Sequence, residues 1–372
     1  MADDRALLCC SFNQDRSCFS VGTSEGYKIF NCDTCSCVYE KLDGAVNLIE
    51  MFFTTSLLAL HAVIFVSSFL QPELSPRRLF ILNTATQVKR AVDFVSSVLA
   101  VRWNKKRIVI VLDRKVHINE LPHLNCLQIL DTAENRKGVC AFSSNTENCY
   151  LALPASSTTG TVFVYDTLHL NALGEFQAHK SPLAAMAFTP DGLLLATASD
   201  HGTVIRVHVI PQASKAFTFR RGSYAATIYS LSFGPQSLSP QLLAATSSSG
   251  TLHVFRLCSP PARQGTNKRV SDLLAAVIPE TVSDIVEPDL HFATVRHGFS
   301  PGVKSICAIA APLEEELPSS SSADRARIFV VTLNGFFNEY QVSSTPNGGV
   351  CSLERECSLM TTGSDQISAR FV

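Results

Sequence analysis

Charge is scarce in this sequence and nearly balanced. Charged residues make up 17% of the 372, and the formal net charge is -1. A chain so neutral has no whole-molecule reason to bind nucleic acid, so any affinity for anions must come from a local patch. Several signatures of catalysis are missing as well: there is no P-loop, no HExxH and no glycine-rich dinucleotide turn. Asp113, Arg114 and His117 lie close together, yet a local triplet has no catalytic geometry of its own. The basic runs at Arg77-Arg78 and at Arg102 with Lys105-Lys106-Arg107 lack the interleaved aromatics of a base-stacking platform, so they read as solvated strand ends. The expectation is no catalysis, no cofactor and no nucleic-acid partner.

The opening residues Met1-Ala2-Asp3-Asp4-Arg5 lack the basic start and apolar run of a secretory signal. Thirteen cysteines are present, scattered and odd in number. Mostly buried free thiols in a reducing, cytosolic setting are expected. Cys32, Cys35 and Cys37 form a CxxCxC cluster, but no second pair or nearby histidine completes four ligands, so no metal site is expected. Helical periodicity is nearly absent from the first two-thirds, where Val, Ile, Thr and Phe dominate.

What fills the chain instead is a repeat. Leu8–Glu40, Val139–His179, Pro182–Gly222 and Thr227–Leu257 share one pattern: an alternating strand, a polar turn, a second strand ending in small residues, and a third strand opening on glycine. Gly26-Tyr27-Lys28, Gly160-Thr161-Val162, Gly202-Thr203-Val204 and Gly250-Thr251-Leu252 occupy equivalent places. Less regular copies run over Gly44–Phe94, Ser96–Asp131 and Gly302–Leu359. The period of roughly 40 residues matches a four-stranded WD40-type blade and weighs against a β-sandwich. Length alone allows one to three domains. Seven units predict one all-β domain over residues 1–372, a seven-bladed β-propeller of WD40-like repeats.

Two stretches interrupt the pattern. Met51–Leu70 is apolar and free of formal charge, long enough for a membrane span. Its Thr and Ser residues, and the cut a span would make in the ring, favour two buried strands of the second blade, Phe52–Leu60 and His61–Phe69. Ser259–Pro301 opens as a polar, flexible run. Val270, Leu273, Leu274, Val277 and Ile278 then follow at helical spacing. A loop this long in a compact fold is functional or disordered, and its amphipathic part suits insertion into a headgroup layer. A third segment, 319–325, reads as a flexible hairpin loop beside Glu314-Glu315-Glu316.

The candidate chemistry lies at the seam of two units, in Phe217-Thr218-Phe219-Arg220-Arg221-Gly222. Adjacent residues on an extended chain point to opposite sides, so Arg220 should serve one unit and Arg221 the next. Arginine forks bind phosphate through paired, charge-assisted hydrogen bonds. Ser199, Thr203, Ser247, Ser249 and Thr251 could add hydroxyl donors, and His179 a pH-dependent one. Arg206 follows Thr203 at an odd interval, which predicts that it faces away. Surface solvation or a local ion pair would explain an isolated Arg-Arg pair. The near-identical flanks favour two sites for the same anion.

The Phe219-Arg220-Arg221-Gly222 motif, between Gly202-Thr203-Val204-Ile205-Arg206-Val207 and Thr227-Ile228-Tyr229-Ser230-Leu231-Ser232-Phe233, resembles the signature of the PROPPIN family. The likeness runs from Ser11-Phe12-Asn13-Gln14-Asp15 through the seventh repeat, and includes Ala178-His179-Lys180-Ser181-Pro182. It implies a non-catalytic peripheral membrane protein that binds phosphatidylinositol 3-phosphate and phosphatidylinositol 3,5-bisphosphate. It implies one headgroup site of Arg220, His179, Ser199 and Thr203, and another of Arg221, Ser247, Ser249 and Thr251. It further implies a membrane-inserting loop in blade six, at Leu273, Leu274, Val277 and Ile278. An autophagy lipid-transfer protein is the implied partner, and preautophagosomal, endosomal or vacuolar membranes the implied location. The family usually has a short glycine-rich loop where this chain reads His61-Ala62-Val63-Ile64-Phe65-Val66-Ser67-Ser68-Phe69-Leu70, which places any partner surface there outside the pattern. The rival reading is a WD40-type protein-interaction scaffold without lipid binding.

Overall fold

A computed structural model describes residues 7–62, 75–239, 241–257, 291–296, 298–312, 325–345 and 348–360. Every helix or strand among them is a strand, and the strands form seven four-stranded antiparallel sheets. Each sheet is one repeat, its strands paired in chain order, so the predicted seven-bladed propeller is the fold. Blade five shows how alternation builds it. Leu194–Ser199 pairs with Val204–Val209 so that Ala196 faces Val207 and Ala198 faces Ile205. These four side chains enter a cluster shared with blade six, together with Phe219, Phe233, Leu243 and Phe255. There are seven such apolar clusters, and each bridges one pair of neighbouring blades. Burying one such aliphatic side chain contributes roughly 1.5–3 kcal/mol, so the core is distributed around the ring and not gathered at one centre. Outer strands such as Cys126–Asp131 have only exposed or half-buried residues.

The glycine that opens the third strand of blades one, four, five and six has a physical reason. A Cβ on Gly26 would stand 2.0 Å from the Lys41 carbonyl oxygen, and one on Gly160 2.6 Å from that of Ser181. On Gly202 it would stand 1.8 Å from the Ala226 oxygen, and on Gly250 2.2 Å from that of Phe299. All four carbonyls lie where the chain leaves one blade or crosses to the next. Only a residue without a side chain lets the crossover lie this close.

Six of the seven seams are spanned by such crossovers. The seventh, between blade seven and blade one, is held by side chains alone. Phe19 stacks on Phe337 with ring centres 5.0 Å apart. Arg327 reaches Asp33 at 2.8 Å and Glu339 at 3.3 Å, while Arg355 reaches Glu339 at 2.6 Å. Arg355 also donates to the carbonyls of Asp33 and Cys32, at 2.7 and 2.9 Å. Cys32 and Cys35 are buried in the apolar cluster of this seam.

Three sequence expectations are corrected or bounded. Met51–Leu70 does not divide into strands Phe52–Leu60 and His61–Phe69. The chain turns over Phe52–Ser56, with Phe53 at φ 50° and the Thr55 hydroxyl donating to the Phe52 carbonyl at 2.7 Å. The second strand is Leu57–Ala62, so His61 ends a strand instead of starting one. Residues 63–70 lie outside the described residues, among which no helix is long and apolar enough to cross a membrane. The stretch taken as a loop to Pro301 contains the fourth strand of blade six, His291–Val295. Of 319–325, only Arg325 is described, and it begins the strand Arg325–Thr332.

Candidate anion-binding edge

The fourth strand of blade five, Ser214–Arg220, presents two different faces. Phe217 and Phe219 turn toward blade six and pack in its shared cluster. On the other face the ladder sets Thr197 opposite Arg206, Arg206 opposite Thr218, and Val204 opposite Arg220. Strand alternation therefore puts Arg220, Thr218, Arg206, Thr197 and Ser199 on one side, the side toward blade four. His179 of blade four meets them there. Its Nε2 lies 2.9 Å from the Thr197 hydroxyl, and its Nδ1 lies 3.3 Å from Arg206 Nη1. Since a guanidinium only donates, Nδ1 accepts and Nε2 carries the proton, in the neutral ring. Arg206 is braced by a 2.6 Å bond to the Ala178 carbonyl. Beside this group is a cleft of about 490 Å3, to which Lys180, Arg206 and Lys215 contribute three cations. The Thr218 hydroxyl on the same face is buried and has no hydrogen-bond partner among the described residues.

Arg220 is exposed, whereas its neighbour is only 8% exposed. The Arg221 amide donates to the Thr203 carbonyl at 2.8 Å, and its Nε donates to the Gly202 carbonyl at 2.8 Å. An Nη2 hydrogen is donated to the Tyr224 carbonyl. Burial lowers its pKa, but the fork is already fixed in direction before any ligand arrives. The side of blade six that faces blade five carries Leu243, Ala245 and Phe255. Alternation places Ser247 and His253 on this side too. Ser247, Ser249 and Thr251 form a closed triangle of hydroxyls with edges of 2.8 to 2.9 Å, and Thr251 lies 3.0 Å from His253 Nε2. A hydroxyl triangle can rotate its protons outward to an anion at little cost.

Arg220 thus stands on the side toward blade four, while Arg221, one residue past the strand, is bonded to carbonyls of its own blade. Ser247, Ser249 and Thr251 are in direct contact, and His179 meets the Ser199 side through Thr197. Thr203 contributes its carbonyl to Arg221, and Arg220 makes no hydrogen bond among the described residues. Leu273, Leu274, Val277 and Ile278 lie outside the described residues. Arg206 overturns the prediction that it faces away: Thr203 precedes the strand Val204–Val209, so alternation does not count from it. Sequence reasoning also missed Thr197 and His253. Both continue an every-second-residue series, Thr197-Ser199 and Ser247-Ser249-Thr251-His253, and that spacing was the available signal.

His208, in the same cleft, sets a pH dependence. Burial, with Arg206 and Lys215 nearby, pushes its pKa down to about 4. The unfolded chain takes up its proton near pH 6.5, so stability present above that value is lost as pH falls toward 4, by about 1.4 kcal/mol per unit crossed. His61 and His117, also lowered by burial, act in the same sense, while the raised pKa of Glu50 opposes them at the acid end. Urea unfolding at pH 7 and pH 5 is expected to show a drop of about 2 kcal/mol that shrinks in His208→Gln. An unchanged drop in that variant would rule out His208 as its source.

Comparison with known proteins follows this geometry. A family model described as PROPPIN matches residues 6–360. Autophagy-related protein 18b of Arabidopsis thaliana is 42% identical over 364 residues, covering 96% of this chain and 97% of its own. Autophagy-related protein 18 of Dictyostelium discoideum is 36% identical over 376 residues, covering 96% and 94%. Among solved structures, Kluyveromyces lactis Hsv2 superposes with a TM-score of 0.73 at 18% identity, over 96% of this chain and 100% of that one. A complex of KlAtg21 with the coiled coil of AgAtg16 gives 0.71 at 24% identity, over 95% and 99%. These two likenesses show the fold.

Proposed function

Because this chain belongs to the PROPPIN family, as a β-propeller related to autophagy proteins, we propose that it is a non-catalytic reader of 3-phosphorylated phosphoinositides on membranes. The observation that carries the reading is an exposed Arg220 next to a fixed Arg221 fork, on a blade flanked by two seams that each hold hydroxyls and a histidine. Phosphatidylinositol 3-phosphate and phosphatidylinositol 3,5-bisphosphate are the proposed ligands. Arg220, with His179, Ser199 and Thr203, and Arg206 and Thr197 beside them, forms the first site. Arg221, with Ser247, Ser249, Thr251 and His253, forms the second. Each site alone is modest, and two on one rim act by avidity. The segment with Leu273, Leu274, Val277 and Ile278 would add interfacial insertion. In this reading the bound propeller recruits autophagy machinery, including a lipid-transfer protein, to preautophagosomal, endosomal or vacuolar membranes.

Co-sedimentation with liposomes, with and without phosphatidylinositol 3-phosphate, tests it. Wild type should pellet only with the lipid. Arg220→Ala with Arg221→Ala should lose at least 90% of that binding, as expected when two cooperating charge-assisted sites are removed. Binding indifferent to both arginines would leave the interaction scaffold as the reading.

A further inference from the structure

On the axis of the ring, away from the edge sites, the first strands and their following turns surround a cavity of about 420 Å3. Small residues such as Ala185, Ala187 and Ala308 leave the space open, and more of the surface inside it is polar than apolar. Its charged lining is Arg16, Glu50, Arg102 and Lys137: three cations against one carboxylate. Glu50 is engaged, accepting from Arg102 Nη1 at 3.2 Å and from the Ser11 hydroxyl at 2.8 Å. Arg16 is not. It sits on the turn between the first two strands of blade one, and the nearest acid, Asp15, has its Oδ1 taken by the Ser17 amide and hydroxyl at 3.1 and 2.6 Å. Among the described residues the Arg16 guanidinium has no hydrogen-bond or ion-pair partner, and loss of hydration brings its pKa down to about 10. The residue is half-buried, with Asp15 as its neighbouring acid, and an anion in the cavity would give its fork a direct partner.

We propose that this axial cavity binds a small dianion of the phosphate-monoester or dicarboxylate class. Arg16 supplies the principal fork, and Lys137 and the uncommitted N–H groups of Arg102 supply the remaining donors. The volume is in the range of small-ligand sites, and a lining more polar than apolar suits a charged ligand. The proposal does not depend on the lipid reading, since no edge residue lines the cavity.

The test uses the full chain carrying Arg220→Ala and Arg221→Ala, so that the edge sites contribute nothing. Inorganic phosphate is titrated by phosphorus NMR line width, and succinate by its effect on thermal unfolding. The two arms distinguish the phosphate from the dicarboxylate form of the ligand. Saturable binding of at least one probe is expected, weakened at least tenfold by Arg16→Gln. Lys137→Ala, which leaves the Glu50–Arg102 pair intact, should weaken it about threefold and decides the matter should Arg16→Gln not fold. No saturable binding of either probe, or binding indifferent to Arg16 and Lys137, overturns the proposal.

Discussion

Gly202→Ala is expected to destabilise the protein by about 2–5 kcal/mol and to abolish lipid-dependent sedimentation. Two costs add. The residue stands at φ 63°, where a side chain costs about 1–2 kcal/mol. Its Cβ would also lie 1.8 Å from the Ala226 carbonyl oxygen, a backbone atom that can yield only if the crossover to blade six moves, and overpacking of this kind costs about 1–3 kcal/mol. The displaced crossover follows directly on Arg221, whose Nε is bonded to the Gly202 carbonyl, so the second site would be disturbed with it. Gly44→Ala is the control. That glycine also has positive φ, 86°, but open space where the Cβ would be, so only the smaller conformational cost should remain. Urea unfolding of both variants compares them. Equal losses would mean that close approach at the crossover contributes nothing.

The second large effect is expected at the seam between blades seven and one. Glu339→Gln removes the carboxylate shared by Arg327 and Arg355 and leaves their charges partly unmatched in a buried setting. Removing one partner of such a buried network typically costs about 3–5 kcal/mol. Lys115→Ala breaks an exposed pair with Asp131, whose side chains are 47% and 86% accessible, and should cost less than about 1 kcal/mol. The two variants are compared by chemical unfolding. A Glu339→Gln loss no larger than the surface control would show that stacking and apolar contact close the ring without this network.

The ring was legible because its causes are local and repeated. A glycine at the third-strand start of the regular repeats and alternation within each strand recur along the chain, and both can be read without coordinates. The arginine pair was legible as a motif, and it ends the fourth strand of blade five with Arg220 exposed and Arg221 buried. What escaped was set by turns and by contacts between blades. Phe52 has the composition of a strand residue, yet the chain turns there because Phe53 takes a left-handed conformation and the side chain of Gln14, from blade one, accepts its amide at 2.6 Å. No pattern within blade two encodes that partner. Arg206 was misplaced by counting alternation across a turn, and His253 by stopping the count one step early. The fourth strand of blade six was hidden by its separation in sequence from the strand it pairs with, Leu252–Leu257.

Among the described residues every blade is made from one continuous stretch of chain, and no strand is exchanged between the first blade and the last. The molecule is in mechanical terms a split washer, with six seams stitched by the backbone and one merely clasped. Its hoop strength resides in the clasp, chiefly in Arg327, Glu339, Arg355 and the stacked Phe19–Phe337 pair. A radial load is met there by noncovalent contacts only. The seams between blades four and five and between blades five and six are three and two blades from that slit, and both are stitched. Strain that loosens the clasp is therefore taken up away from the arginine pair, and the rim that carries the pair keeps its spacing while the clasped seam gives.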